Sequence, residues 1–161
     1  MSFGKDAKDF LYKIQKNKDI KNALISSDDN MGRKNVLDLN IAVGVDISGS
    51  ISSSQYREFM AQLDAIKGLS RVKVLEVDTQ VVSMYDYYIS KNSRVVKLGG
   101  GGGTDFTSAF SQLTKMKPDA ILFMTDGMVA GSPKDPNIPV GWVLTPNGEK
   151  PYSFGEVVVR L

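Results

Sequence analysis

The sequence predicts an α/β fold: an open, mostly parallel sheet with helices on both faces and one antiparallel edge strand. Three observations predict it. Two short runs, Leu39–Val45 and Ala120–Met124, are apolar on both faces, as strands buried in the middle of a sheet must be. Each run stops in polar residues, Asp46-Ile47-Ser48-Gly49-Ser50 after the first and Thr125-Asp126-Gly127 after the second. Amphipathic helical segments alternate with these and other strand segments, the pattern of right-handed βα units. In such a sheet the carboxyl ends of the parallel strands share one edge, and the ligand crevice lies there, where strand order reverses.

The elements follow in order. Residues 5–25 are expected to form an amphipathic helix, with Ala7, Phe10, Leu11, Ile14, Ile20 and Leu24 at helical spacing. Lys5, Lys8, Lys13, Lys16, Lys18 and Lys21 make its outer face basic. A solvated face on a helix packed against the core or a neighbouring domain is the first reading; a surface for nucleic acid or an acidic partner is the second. Ser26–Asn30 is a loop by composition. Residues 1–35 are therefore read as helix plus linker and 36–161 as the α/β domain. Removing residues 1–30 is expected to leave the site of the second part intact.

Asp38–Asp46 is the first strand, and Gln55–Lys67 a helix with Phe59, Leu63 and Ile66 on one stripe. A serine of Ser52-Ser53-Ser54 caps its start and Gly68 stops it. Arg71–Asp78 and Thr79–Tyr88 read as a hairpin, with Tyr85, Tyr87 and Tyr88 as sheet-edge packing rather than a stacking platform. Phe106–Met116 is the next helix, ended by Pro118. Asp119–Met124, Ile138–Leu144 and Gly155–Leu161 complete the strands. Trp142 and the scattered methionines are expected in the core.

Composition narrows the chemistry. The 161 residues make one domain, 42% apolar and 24% charged, which is ordinary for a globular protein. Absence of cysteine and histidine removes disulfides, thiolate and imidazole zinc sites, thiol nucleophiles and the Ser-His-Asp triad. A net charge of +2 is too small to point to nucleic acid. No apolar run approaches the ~20 residues of a membrane span. The Met-Ser-Phe-Gly-Lys start is not a signal peptide, so a cytoplasmic location is expected.

The polar strand ends carry the chemistry. Asp46, Ser48 and Ser50 alternate, so an extended or turning backbone can present them on one side. Thr104, after the glycine run Gly99–Gly103, and Asp126 can reach the same edge. Three hydroxyls and two carboxylates, with one or two waters, suit a hard divalent cation that takes about six oxygens. Hydroxyl ligands bring no charge, so the ion would stay electrophilic and accept a carboxylate from another molecule. The glycine run lacks the Gly-Lys-Ser/Thr ending of a phosphate loop and reads as close backbone passage near the site. Asp105 either adds negative potential there or caps the following helix, and the cap is favoured.

This ordered set, Asp46-x-Ser48-x-Ser50, then Thr104, then Asp126, resembles the metal-ion-dependent adhesion site of von Willebrand factor A (VWA) domains, whose fold is a Rossmann-like open sheet. Further stretches are similar to the VWA-like C-terminal domain of bacterial and phage predicted metallopeptidases of unknown function. These are Val45–Ser52, Gly101–Phe106, Thr125–Gly127, Pro139–Thr145 and Phe154–Leu161. The resemblance implies Ser48, Ser50 and Thr104 as direct ligands of Mg²⁺, Mn²⁺ or Ca²⁺, with Asp46 and Asp126 binding directly or through waters. It implies a metal-dependent protein-binding module rather than an enzyme, bridging to a partner's carboxylate. Some intracellular members of the superfamily work with ring-forming ATPases. Peptidase activity is not implied, because a His-Glu-x-x-His motif cannot exist here and residues 1–35 are too few to hold a peptidase domain. The alternative is a Mg²⁺-dependent phosphatase with Asp46 as nucleophile, but that chemistry expects a second aspartate where Ser48 stands. A degenerate site on a mere scaffold is the third reading.

Overall fold

The computed structural model describes residues 3–25, 37–66, 68–78, 81–87 and 105–161. In chain order the elements are α1 (Phe3–Ile25), β1 (Asn40–Asp46), α2 (Ser53–Ile66), β2 (Arg71–Val77) and β3 (Val81–Asp86). They continue with α3 (Thr107–Lys115), β4 (Ala120–Thr125), β5 (Val140–Leu144) and β6 (Glu156–Arg160). The strands form one sheet in the order β3-β2-β1-β4-β5-β6. Every neighbouring pair is parallel except β2–β3. The chain builds outward from β1 through β2 to β3, then returns to lay β4 on the other side of β1. Strand order therefore reverses between β1 and β4, and their carboxyl ends flank the switch point.

Alternation along the buried strands splits the core in two. Ile41, Val43 and Val45 face one side with Val72, Val74, Leu122 and Met124, under Tyr56, Phe59, Leu63 and Ile66 of α2. Ala42 faces the other side with Leu75, Ile121, Phe123 and Trp142, under Ala109, Phe110 and Leu113 of α3. The second core is aromatic: Phe110 stacks on Phe123 at 5.2 Å and meets Phe154 edge-on at 5.2 Å. Gly44 makes room for it, since a Cβ there would lie 2.4 Å from the Phe123 ring. Trp142 is fully buried, as expected, and its indole N–H donates to the Phe154 carbonyl at 2.9 Å.

Helix ends show where local chemistry set the boundaries. Ser52 Oγ accepts the Gln55 N–H at 3.1 Å while Gln55 Oε1 accepts the Ser52 N–H at 2.9 Å. This reciprocal capping box starts α2 at Ser53, two residues before the apolar pattern suggests. At its other end the turn closes with the Leu69 N–H on the Ile66 carbonyl at 2.9 Å, and Gly68 is not left-handed. The glycine stop is thus a turn and not an αL cap. For α3, Phe106 occupies the cap position without a side-chain bond. Asp105 satisfies the first orphan donor instead, accepting the Thr107 N–H at 2.8 Å.

The first helix departs from its expected face. Ala7, Phe10 and Leu11 are buried in the α2-side core, and α1 packs on α2 and β6. Ile20 is 52% exposed, so the apolar stripe leaves the core beyond Ile14. Lys18 is not on the solvated face: its Nζ donates to the Asp38 carbonyl at 2.7 Å and pairs with Asp119 at 3.3 Å. The side chains of Lys5 and Leu24 lie outside the described residues, as do Ser26–Asn30 and Tyr88. At the sheet edge the Tyr85 hydroxyl donates to Glu76 (3.2 Å) and that of Tyr87 to Asp64 (2.8 Å), which is packing and not a platform. Met84 and Met128 are exposed, against the expectation that the methionines fill the core. Among the described residues no helix is long and apolar enough to cross a membrane.

Leu11 is fully buried, so Leu11→Ala is expected to destabilise the fold by about 2–5 kcal/mol through lost burial and a residual cavity. Urea unfolding measures this directly. An unchanged midpoint would mean that α1 is not part of the cooperative core.

Candidate metal centre

The parallel register of β1 with β4 (Val45 beside Met124) brings the two strand ends together. Asp46 is fully buried there. Its Oδ2 accepts the Thr125 hydroxyl at 2.6 Å, and Thr125 Oγ1 in turn accepts the Gly127 N–H at 3.0 Å. Asp46 Oδ1 accepts the Ser48 N–H at 2.9 Å. The carboxylate is thus held from both sides, with lone pairs left over for a further donor or a cation.

The loop after β1 is equally constrained. The Ile47 N–H still bonds the Val77 carbonyl of β2 at 2.9 Å, and the Ile51 N–H closes a turn on the Ser48 carbonyl at 3.0 Å. The capped start of α2 follows at once. Between these anchors Ser48 Oγ and Ser50 Oγ lie 3.2 Å apart, Ser48 buried and Ser50 exposed. Two neighbouring oxygens of an octahedral Mg²⁺ shell, bonded at 2.0–2.1 Å, sit about 3 Å apart. The hydroxyl pair already has that separation.

Asp126 follows β4 directly. Its Oδ1 accepts the Met128 N–H at 2.9 Å and its carbonyl accepts the Glu149 N–H at 3.2 Å. The turn that presents it depends on Gly127, whose φ is +81°, and a Cβ there would lie 1.8 Å from the Glu149 carbonyl oxygen. Only glycine allows both.

Thr104 and the Gly99–Gly103 run lie outside the described residues. The residue after Thr104 is placed: Asp105 forms a parallel bridge with Ala130, four residues past Asp126. Its hydrogen bonds from Thr107 hold its carboxyl below the usual range, so Asp105 serves the helix start, as the favoured reading has it.

Electrostatics bear on what the site can hold. Burial pushes the Asp46 carboxyl above its usual pKa of 3.8; the Ser48 and Thr125 bonds oppose the shift and the Asp126 charge adds to it. Among the described residues no lysine or arginine pairs with Asp46 or Asp126. Nor do three acidic side chains cluster tightly enough there to hold a metal on their own. The described oxygens (two carboxylates and two hydroxyls) fit a hard divalent cation in chemistry and, for the hydroxyl pair, in spacing. Four of the five expected site residues are therefore placed: Asp46 at the end of β1, Ser48 and Ser50 on the loop that follows, and Asp126 across the switch point. Thr125 had no expected role; only its adjacency to Asp126 hinted at one.

An open parallel sheet with Asp-x-Ser-x-Ser at one side of its switch point and an aspartate turn at the other defines a VWA-type domain. The family model for the VWA-like domain (DUF2201) matches residues 41–160, and the chain belongs to that family. A search of the curated proteins returns no match. Among solved structures the chain is similar to an aerotolerance-related membrane protein from Bacteroides fragilis NCTC 9343, at 14% identity and a TM-score of 0.46, over 66% of this chain and 67% of that one. It is also similar to the ArnB paralog VWA2 from Sulfolobus acidocaldarius, at 12% identity and a TM-score of 0.46, over 71% of this chain and 36% of that one.

A pH dependence follows from the buried Asp46. Its folded pKa lies above the unfolded 3.8, so the folded state binds more protons between the two values. Stability is therefore lost as pH rises through that interval, and the penalty persists above it. Melting curves of metal-free protein are expected to show this decline. The Asp46 share of the slope should vanish in Asp46→Asn. An identical pH profile for Asp46→Asn and wild type would contradict it.

Proposed function

We propose that this chain is a divalent-metal-dependent protein-binding module. Ser48, Ser50 and Thr104 would hold Mg²⁺, Mn²⁺ or Ca²⁺, with Asp46 and Asp126 behind them, binding directly or through waters. Bound there, the ion supplies an electrophilic position for a carboxylate oxygen of a partner protein. The observation that carries this reading is the Ser48–Ser50 hydroxyl pair at 3.2 Å beside two carboxylates that no described cation neutralises.

The chain's own groups have separable tasks. Asp46 fixes the loop through the Ser48 N–H, and Thr125 fixes Asp46. Ser50 is exposed and can face a partner, whereas Ser48 is buried. The carboxylates offset the charge of the ion only in part where they act through water, which favours docking of an acidic side chain. A protein such as a ring-forming ATPase, presenting one exposed Asp or Glu in a cytoplasmic setting, suits this chemistry.

The phosphatase reading is less well supported. A nucleophilic aspartate must reach an incoming phosphorus atom, but Asp46 is fully buried and both its oxygens accept hydrogen bonds. Ser48 stands where the acid/base carboxylate is needed.

Titration of the protein with Mg²⁺, Mn²⁺ and Ca²⁺ under differential scanning fluorimetry tests the metal. Stabilisation should approach about 2.7 kcal/mol at 100 times Kd, be reversed by EDTA and be absent in Ser48→Ala/Asp126→Ala. Calorimetry without divalent binding at millimolar metal would refute the site. A pull-down with and without EDTA, comparing wild type with Asp46→Asn, tests the bridge. Phosphatase turnover abolished by Asp46→Asn would overturn the binding reading in favour of the enzyme.

A further inference from the structure

We infer that Glu76 and Tyr56 are positioning residues for the metal loop, their hydrogen bond pinning the far end of the segment that carries Ser48 and Ser50. This deepens the metal reading above and rests on it. The segment runs from Ile47 to Tyr56, and both of its ends are fastened to β2. At the start, the Ile47 N–H donates to the Val77 carbonyl at 2.9 Å. At the finish, the Tyr56 hydroxyl donates to Glu76 Oε2 at 2.8 Å. Glu76 and Val77 are consecutive residues, paired with Val45 and Asp46 of β1. One short stretch of β2 therefore fixes the separation of the two ends.

Between those ends the chain has little slack. The Ile51 N–H closes a turn on the Ser48 carbonyl at 3.0 Å, and the Tyr56 N–H closes the next on the Ser52 carbonyl at 2.9 Å. The reciprocal bonds of Ser52 and Gln55 stiffen the second turn. A displacement of Tyr56 is thus passed to Ser52, and through Ile51 to Ser48. The Ser48 and Ser50 hydroxyls, 3.2 Å apart, are the part of this segment whose spacing a cation reads. Ligands held at that spacing before the ion arrives lose little freedom on binding, which raises affinity.

The cost of burying Glu76 argues that its bonds have a task. It is 1% exposed, on the face where β2 otherwise presents Val72 and Val74 to the α2-side core. A valine there would avoid the desolvation that a buried carboxylate suffers. The carboxylate instead accepts hydroxyl protons from Tyr56 of α2 and from Ser83 and Tyr85 of β3. Burial, and then the bond to Glu76, push the Tyr56 pKa upward, so that hydroxyl stays a donor. Of the two tyrosines on this carboxylate, Tyr56 leads into the metal loop and Tyr85 leads away to the edge strand. That asymmetry separates positioning from packing.

The test compares full-length wild type with Tyr56→Phe and Tyr85→Phe, each of which keeps its ring and takes one hydroxyl from the same carboxylate. Mn²⁺ alone is the probe. Its affinity is measured by calorimetry well below the melting temperature, and the melting temperature of each metal-free protein is recorded alongside. Tyr56→Phe is expected to lose about fivefold or more in Mn²⁺ affinity, the order seen for residues coupled to a site they do not touch. Tyr85→Phe is expected to keep wild-type affinity, although both variants melt lower. Wild-type affinity in Tyr56→Phe with a lowered melting temperature would overturn the inference and leave Glu76 a purely structural residue. Equal losses of affinity in both variants would overturn it too, since a general loosening then suffices. Wild type that binds no Mn²⁺ removes the metal reading together with this inference, whereas either of the preceding outcomes removes this inference alone. Glu76→Gln supplies the same readouts should Tyr56→Phe fail to fold.

Discussion

The parallel pairing of β1 with β4, locked at its end by the Thr125 hydroxyl on Asp46 at 2.6 Å, is the constraint on which the site depends. It joins residues 79 positions apart and makes the switch point a fixed junction. On one side of it the Asp46 carboxylate shapes the serine loop. On the other, Thr125 receives the Gly127 N–H and so sets the turn that presents Asp126. A slip of one residue in this register would send Asp46 to the opposite face of the sheet and separate both loops.

Charge is sorted between the two edges of the sheet. At the amino edge, Lys18 pairs with Asp119 at 3.3 Å and Arg71 with Asp38 at 3.0 Å, and Lys73 meets Asp86 at 3.5 Å between β2 and β3. These partly exposed pairs add little stability individually. At the carboxyl edge Asp46 and Asp126 have no such partner among the described residues, and burial raises the Asp46 pKa. Carboxylates kept near one another without counter-charge disfavour each other's ionisation, and the Asp126 charge adds to the burial of Asp46 in that direction.

Two dissimilar cores hold that edge in place. The α2 side is largely aliphatic and ties α1 into the domain through Ala7, Phe10 and Leu11. The α3 side is built on Phe106, Phe110, Phe123, Trp142 and Phe154, and its close packing over β1 depends on Gly44. Both helices that begin near the site start from side-chain bonds to their own first turns, Ser52 with Gln55 and Asp105 with Thr107. The loop leading from β1 into α2 is therefore short and anchored at both ends.

Much of this was legible in the chain itself. Apolar runs ending in polar turns determined the central strands. The apolar stripe Phe59, Leu63 and Ile66 determined α2, and the order Asp46, Ser48, Ser50, Thr104, Asp126 determined the family and the candidate ligands, because these are local patterns of period and spacing. The tertiary structure decided the rest. Ile20 lies outside the core because α1 outruns the surface it packs on, and Lys18 is drawn to Asp119 rather than to solvent. Thr125 gained its part only when β4 lay beside β1. Which oxygens find donors depends on neighbours that are distant in sequence, and no local pattern encodes them.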